Sequence, residues 1–586
     1  MLHSHSTRQK GVSPPASDRG PSEVDIPQFQ RGPRQSIVGL EDVKLLSSNL
    51  QQMSYHGATT NTFDESNNKY IIPNHGLPEQ TAYDLIHNEL TLDGNPHLNL
   101  ASFVNTTTTQ IANRLIMENI DKNLADNDEY PQLIELTQRC ISMLAKLWKS
   151  NPDMEPIGCA TTGSSEAIML GGLAMKKIWE AKMKKAGKSV EKPNILMSSA
   201  CQVALEKFAR YFEVECRLIP VCKESKYCLD PRKLWDYVDE NTIGCYVLLG
   251  TTYTGHLENV EEVADVLTEI EIQHPSWSNK EIPIHVDGAS GGFIVPFSFE
   301  ASHMKKFGLE RWGFNNPRVV SINTSGHKFG LTTPGLGWAL WKDQSYLPPE
   351  LRFRLKYLGG VEETFNLNFS RPGFQVVHQY YNFVSLGFTG YKNHFLKSLF
   401  VARTFAYSLL KSEKLQDYIE VISGIHERIS DDKVPDNVTD YWENPQDFKP
   451  GVPLIAFKLS KHFNEAYPEI PQAIISKLLR TRGWIVPNYP LPNSSDDSSN
   501  WEVLRVVFRT EMKLDFAQLL IIDIENIITK LLSCYEKVEE HAEQEKQTKE
   551  GKRQFIYDML LTLASPESEE DEKLKERVTR NYRGTC

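Results

Sequence analysis

Between Leu98 and Lys342, short apolar runs alternate with stretches of helical spacing. This alternation constrains the fold more than any other feature of the chain. Asn194–Met197, Cys245–Leu249, Pro283–Val286 and Val319–Ile322 have strand length and strand flanks. Between two of them, Leu257, Val260, Val263, Ala264, Leu267 and Ile270 recur at the intervals of an amphipathic helix. Parallel strands need a crossover, which a helix supplies, so the alternation predicts an α/β domain on a largely parallel sheet. Ligands of such sheets sit beyond the carboxyl ends of the strands.

The remainder divides by composition. Residues 1–70 are rich in Ser, Gln, Asn, Pro and Gly without apolar periodicity and are expected to be disordered. A helical segment over 71–97 leads into the large domain, 98–398. From about Leu399 a helix rich in Phe, Ala and Leu precedes strand-like Leu454–Phe457 and Leu504–Phe508, predicting a smaller C-terminal α+β domain over 399–540. A charged tail, 541–586, ends the chain. The net charge of −12 and the lack of a long Lys/Arg run argue against nucleic acid as a partner. No stretch approaches the roughly 20 apolar residues of a membrane span, and the N-terminus lacks the apolar core of a secretory signal. Nine cysteines at irregular spacing, none in a CxxC pair, read as reduced cytoplasmic thiols, with no metal site.

Three motifs follow strand ends. In TTGSSEAIMLGGLAMK, from Thr161, Gly163 allows a tight turn and Ser164 or Ser165 can cap the following helix, whose free N–H groups suit an anion, most often phosphate. In HVDGASGGF, Asp287 ends a strand among small residues, where a flat ligand could approach it. In SGHKFG, Lys328 would become a nucleophile toward carbonyls if its pocket were dry. Each alone has a plainer reading: an ordinary capped helix, an aspartate capping a turn, a solvated lysine. Together they offer an anion cradle, an isolated carboxylate and a Schiff-base lysine, the three things pyridoxal phosphate needs.

With GSSEA, TTYTG, HVDGASGGF, SGHKFGL and NFSRPG in this order, the chain resembles the pyridoxal-phosphate decarboxylases of fold type I, and within them the glutamate decarboxylases, nearest the fungal branch. TLDGNPHLNLASF and LADNDEYPQ strengthen the likeness, which runs from about Leu98 to Leu520. The resemblance implies a transferase-like α/β fold, pyridoxal 5'-phosphate as cofactor, and decarboxylation of L-glutamate to 4-aminobutanoate through a Schiff base on Lys328. It implies that Asp287 pairs with the pyridine nitrogen, that Ala289 and Gln202 lie on opposite faces of the ring, and that Thr252 bonds near Asp287. Ser164, Ser165, Ser325 and His327 would hold the phosphate, joined by Ser370 from a neighbouring subunit of a homo-oligomer with shared active sites. Arg509 would clamp the α-carboxylate of the substrate, and Ser102, Phe103, Asn123 and Asp126 would receive its side-chain carboxylate. Tyr357, in KYLGGVEE, matches a lid tyrosine of the family.

Two other readings stay open: another amino acid, or carbon–carbon cleavage, on the same cofactor; and a catalytically silent scaffold. The intact Lys328, Asp287 and Arg509 oppose the second. Trp338, Trp341 and Phe329 are expected in the core, and His426 and His462 at the surface. In the tail, basic residues precede Phe555, Ile556, Met559, Leu560 and Leu563, a pattern shared by calmodulin targets and by helices packed on their own protein. Plant members of the family carry a calmodulin-binding tail built around a tryptophan, which this tail lacks.

Overall fold

The computed structural model describes residues 70–542, apart from 74–75, 127, 356–361, 493 and 497–500. The expected disordered extension, the tail with its calmodulin-like pattern, and Tyr357 therefore lie outside the described residues, save for the inner ends of the two termini. The chain divides into two units, Met1–Asp93 and Gly94–Cys586. In the first, the helix Glu79–Leu90 buries none of its residues, although Tyr83, Ile86 and Leu90 lie along it.

The second unit is built on a seven-stranded sheet in the order β1-β7-β6-β5-β4-β2-β3. The strands are β1 Ile157–Thr161, β2 Asn194–Ser198, β3 Glu215–Ile219, β4 Thr242–Leu248, β5 Ile284–Asp287, β6 Val319–Ser325 and β7 Gly337–Trp341. All four apolar runs singled out in the sequence are strands of this sheet. Neighbours are parallel except at β7, which runs antiparallel to both β1 and β6. The β2, β4, β5 and β6 side chains are buried throughout, as expected of strands covered on both faces. The helix predicted from Leu257 onward is Val260–Gln273, started by Asn259, whose side chain accepts from Glu262 N.

Helix Ser164–Lys185 crosses the sheet with two adjacent interior glycines, each costing about 1 kcal/mol of helix propensity relative to alanine. The reason is steric. A Cβ on Gly171 would stand 2.3 Å from His285 Nδ1, and one on Gly172 would stand 2.2 Å from the Tyr246 hydroxyl. Two short strands, β8 Phe353–Leu355 and β9 Glu362–Thr364, form a separate ribbon. The 38-residue helix Phe374–Lys411 then leads toward the C-terminal sheet; it is broken at Gly387, whose φ of 60° few other residues tolerate. That sheet is antiparallel, in the order β10-β11-β13-β12, with β10 Ile419–Val421, β11 Leu454–Leu459, β12 Asn488–Pro490 and β13 Glu502–Val507. Phe329, Trp338 and Trp341 are buried as expected. His426 is not at the surface: it is 3 % exposed, near Arg403 of the long helix and Lys449. Among the described residues no helix is long and apolar enough to cross a membrane.

Candidate active site

At the carboxyl ends of β4, β5 and β6 lies a cavity of about 550 Å³. It gathers the three strand-end motifs. β1 ends at Thr161 and the helix begins at Ser164, so Gly163 lies between a strand and free helical N–H groups. Close approach is possible because β7 offers Gly337: a Cβ there would stand 2.4 Å from the Gly163 carbonyl carbon. Ser164 Oγ and Ser325 Oγ are 2.5 Å apart, joining the two hydroxyl-bearing turns. Glu166, in the first turn, also lines the cavity and would repel an anion if its carboxylate were left free there. Instead its carboxylate accepts from Thr162 N at 2.8 Å, Leu367 N at 3.1 Å and Asn368 N at 3.2 Å, and is satisfied there. His327 Nδ1 accepts from Leu336 N, which puts the proton of the neutral ring on Nε2. Burial, aided by the neighbouring Lys328 charge, lowers its pKa to about 4, so the neutral form holds at physiological pH.

Asp287, 7 % exposed, ends β5. Its Oδ1 accepts from Ala289 N at 3.0 Å and from Asn323 Nδ2 at 2.9 Å; both bonds fall on one oxygen. No cation among the described residues pairs with it, and a nearly buried carboxylate without one is costly. Lys328 Nζ stands 5.1 Å from the centre of the Phe103 ring. Burial lowers its pKa; the Asp287 charge opposes this and the Arg505 charge adds to it. Ala289, Gln202 and Thr252 line the same cavity. Gln202 also caps the helix Val203–Tyr211, its Oε1 accepting from Ala204 N at 2.7 Å.

The substrate-side expectations divide. Phe103 lines the cavity. Arg509 does not: its Nη1 donates to the Asn99 and Ser102 carbonyls, its Nη2 to the Pro96 carbonyl, and its Nε to Glu511 at 2.6 Å. It is an internal tie: Nε, both N–H groups of Nη1 and one of Nη2 are committed to the protein. Ser102 likewise is not a wall residue of the cavity; its Oγ accepts from Val104 N at 3.1 Å. Asn123 and Asp126 do not line it either; they stand together, with Asn123 Nδ2 3.1 Å from Asp126 Oδ1 and 3.4 Å from the exposed Ser370 Oγ. The expected pocket of Ser102, Phe103, Asn123 and Asp126 is therefore not assembled within one chain.

The arginine that does reach the cavity is Arg505, which sequence reasoning missed. From β13 its guanidinium lies between the Phe103 and Tyr489 rings, 5.2 Å from each centre. Nη1 donates to the Thr252 carbonyl at 2.7 Å and Nη2 to the Ala101 carbonyl, while Nε is buried with no acceptor. No carboxylate among the described residues pairs with it. The signal was present in VLRVVF: a lone arginine in an apolar strand must answer to something.

A phosphate-sized cradle, a carboxylate lacking its cation and an unpaired amine at one cavity of a mostly parallel sheet define a pyridoxal-phosphate enzyme of fold type I. The chain belongs to the pyridoxal-dependent decarboxylase family, whose conserved domain matches residues 74–424, and within it to the glutamate decarboxylases. A glutamate decarboxylase of Saccharomyces cerevisiae is 66% identical over 100% of both chains. One from Solanum lycopersicum is 41% identical, covering 79% of this chain and 83% of its own. Among solved structures, a Lactobacillus brevis glutamate decarboxylase superposes with a TM-score of 0.68 at 34% identity, over 80% of this chain and 96% of its own. An Oryza sativa enzyme solved with pyridoxal phosphate and tryptamine, at 17% identity and a TM-score of 0.58 over 84% of this chain and 99% of its own, shares the fold.

Proposed function

We propose that the chain decarboxylates L-glutamate to 4-aminobutanoate and CO2, consuming one proton. The observation that carries this reading is that Lys328, Asp287 and Arg505, three charged groups with no ion pair among the described residues, meet in one cavity. Ser164, Ser165, Ser325 and His327 would hold the cofactor phosphate, Asp287 the pyridine nitrogen and Lys328 the aldehyde carbon, with Ala289 and Gln202 on the two ring faces and Thr252 beside Asp287. When bound, pyridoxal phosphate supplies an aldehyde for the substrate amine and a ring that accepts the electrons of the broken Cα–carboxylate bond. Arg505 takes the role expected of Arg509: its guanidinium receives a substrate carboxylate through N–H groups the protein leaves uncommitted, and that contact orients the bond to be broken. Lys328, freed by the substrate amine, is the group placed to return a proton at Cα. Its burial favours the neutral amine needed to hold the aldehyde carbon, and the ammonium form supplies the proton at Cα.

The yellow colour of purified enzyme, its bleaching with glutamate, and CO2 release from a panel of amino acids test this. Glutamate should be strongly favoured over glutamine and aspartate. Equal rates on all three would remove the substrate assignment and leave the cofactor site standing.

The reading extends to a cytoplasmic homo-oligomer with shared sites. The eight described cysteines are all unpaired, in keeping with a reducing compartment. Asn123, Asp126 and Ser370 cluster without lining the cavity of their own chain, as residues serving a partner's cavity would. Mixing a Lys328→Ala variant with an Asn123/Asp126 double variant, after demonstrated subunit exchange, should restore about a quarter of parental activity, because about half the dimers are mixed and each holds one intact site. No recovery would refute the sharing. At the tail, contact with calmodulin is tested by calcium-dependent retention of the full chain; retention unchanged by chelation would remove it.

A further inference from the structure

β5 and β6 are parallel, with His285 opposite Ser321 and Asp287 opposite Asn323. Alternate residues of a strand share a face, so these four polar side chains lie on one side of the sheet. They form a single buried chain. Ser321 Oγ is 2.7 Å from His285 Nδ1, His285 Nε2 is 2.7 Å from Asn323 Oδ1, and Asn323 Nδ2 donates to Asp287 Oδ1 at 2.9 Å. His285, Ser321 and Asn323 are each at most 1 % exposed. None of the three lines the catalytic cavity.

The polarity of the chain follows from its end. A carboxylate only accepts, so Asn323 must turn its NH2 to Asp287 and its carbonyl to His285. That carbonyl only accepts, so Nε2 carries the proton. Burial holds the imidazole below its ordinary pKa and keeps it neutral, which leaves Nδ1 to accept from the Ser321 hydroxyl. Every donor in the chain points toward Asp287. Position is fixed as well as polarity: Gly171 leaves the ring just enough room, and the Tyr246 ring meets it edge-on at 5.2 Å.

We propose that His285, acting through Asn323, is a positioning residue that keeps the Asp287 carboxylate ionised and fixes its rotation, committing Oδ1 to the protein and leaving Oδ2 for the cofactor's ring nitrogen. This rests on the reading of Asp287 as the partner of that nitrogen. The neutrality of the imidazole is part of the design. A cation there would compete with a pyridinium for Asp287, whereas a chain of oriented dipoles supports the anion without neutralising it.

The experiment reconstitutes the full-length apoenzyme with pyridoxal phosphate labelled with 15N in the ring and reads the nitrogen's chemical shift, alongside kcat and KM for glutamate. His285→Phe keeps the ring and removes both bonds. Its nitrogen signal should move toward the unprotonated position, with kcat down about tenfold and KM within about threefold. His285→Gln, which can still donate to Asn323, should return the signal most of the way. A parental signal in His285→Phe, with activity lost only in proportion to folded protein, overturns the proposal. If His285→Phe fails to take up cofactor, Ser321→Ala and Asn323→Leu decide, and a parental signal in both overturns it equally. Asp287→Asn separates the two levels. If it leaves the signal parental, the reading of Asp287 itself fails; if it moves the signal and the His285 variants do not, only the relay fails.

Discussion

Arg505 and Arg509 are four positions apart in one short segment, and they have opposite fates. Arg505 lines the catalytic cavity with its Nε unsatisfied and paired with no carboxylate among the described residues. Arg509, 4 % exposed, lies behind it with three backbone carbonyls and the Glu511 carboxylate around its fork. The first region holds charges that no described residue pairs. The second closes its own charges and uses them to tie the 96–102 loop to the end of β13. The pair teaches that an arginine's function is read from the donors it has left over, since buried charge is kept either for structure or for a ligand. Substitutions in the two regions should therefore separate activity from stability.

The largest effect is expected at Lys328. Lys328→Ala removes both the amine that holds the cofactor and the proton carrier, and kcat should fall by about 10⁴-fold or more. Because the buried amine has no hydrogen-bond or ion-pair partner among the described residues, thermal stability of the apoprotein should hold or rise. A variant turning over at near-parental rate would break the assignment of the whole cavity.

Next comes Arg509→Met. It strands Glu511 in the interior, and denaturant unfolding should show a loss of about 3–5 kcal/mol. Arg509→Met combined with Glu511→Met should lose less than the single variant, since no uncompensated charge remains. If instead Arg509→Met left stability intact and abolished turnover, the contrast between the two arginines would be reversed.

Arg505→Gln should show the complementary phenotype. kcat/KM for glutamate should drop by about 10²-fold, close to 2.7 kcal/mol, with unfolding free energy within about 1 kcal/mol of the parent. Arg505→Lys should recover little, because an ammonium does not reproduce the planar fork.

The smallest effect sharpens the comparison from a buried group outside the cavity. Burial, with the charges of Lys449 and Arg403 nearby, lowers the pKa of His426 to about 3. The folded state refuses a proton that the unfolded chain accepts near pH 6.5. The stability His426 contributes is thus complete above about pH 6.5 and is lost as the pH falls from there toward 3. In His426→Gln, the acid-side decline of unfolding free energy should be shallower by up to about 1.4 kcal/mol per pH unit. Kinetics at neutral pH should not move. An unchanged acid limb would show that His426 is protonated in the fold.

Legibility in the sequence followed the range of the interactions involved. The four apolar runs were strands because periodicity is local, and the cradle, Asp287 and Lys328 were found because each sits immediately after a strand and is announced by glycine and small residues. β7 was not called, since its antiparallel insertion between β1 and β6 is decided by pairing across the sheet. Arg509 was assigned from the family resemblance alone, and which of two arginines four positions apart turns toward the cavity depends on side-chain packing that a motif does not report. His426 was assigned to the surface because nothing near it in the chain reports that the long helix and a lysine-bearing loop close over it.

The sequence by itself determined the α/β class, the order of the strand-end motifs and the chemical identity of the cofactor-facing groups, because strand period, turn residues and helix starts are fixed by neighbours within a few positions. Only the tertiary structure decided which of two arginines is unspent, that Asn123 and Asp126 stand with Ser370 and not with Phe103, and that Ser321, His285, Asn323 and Asp287 join into one polarised chain. Those outcomes depend on which donors and acceptors meet across hundreds of residues, and burial makes each such meeting worth more than any local preference.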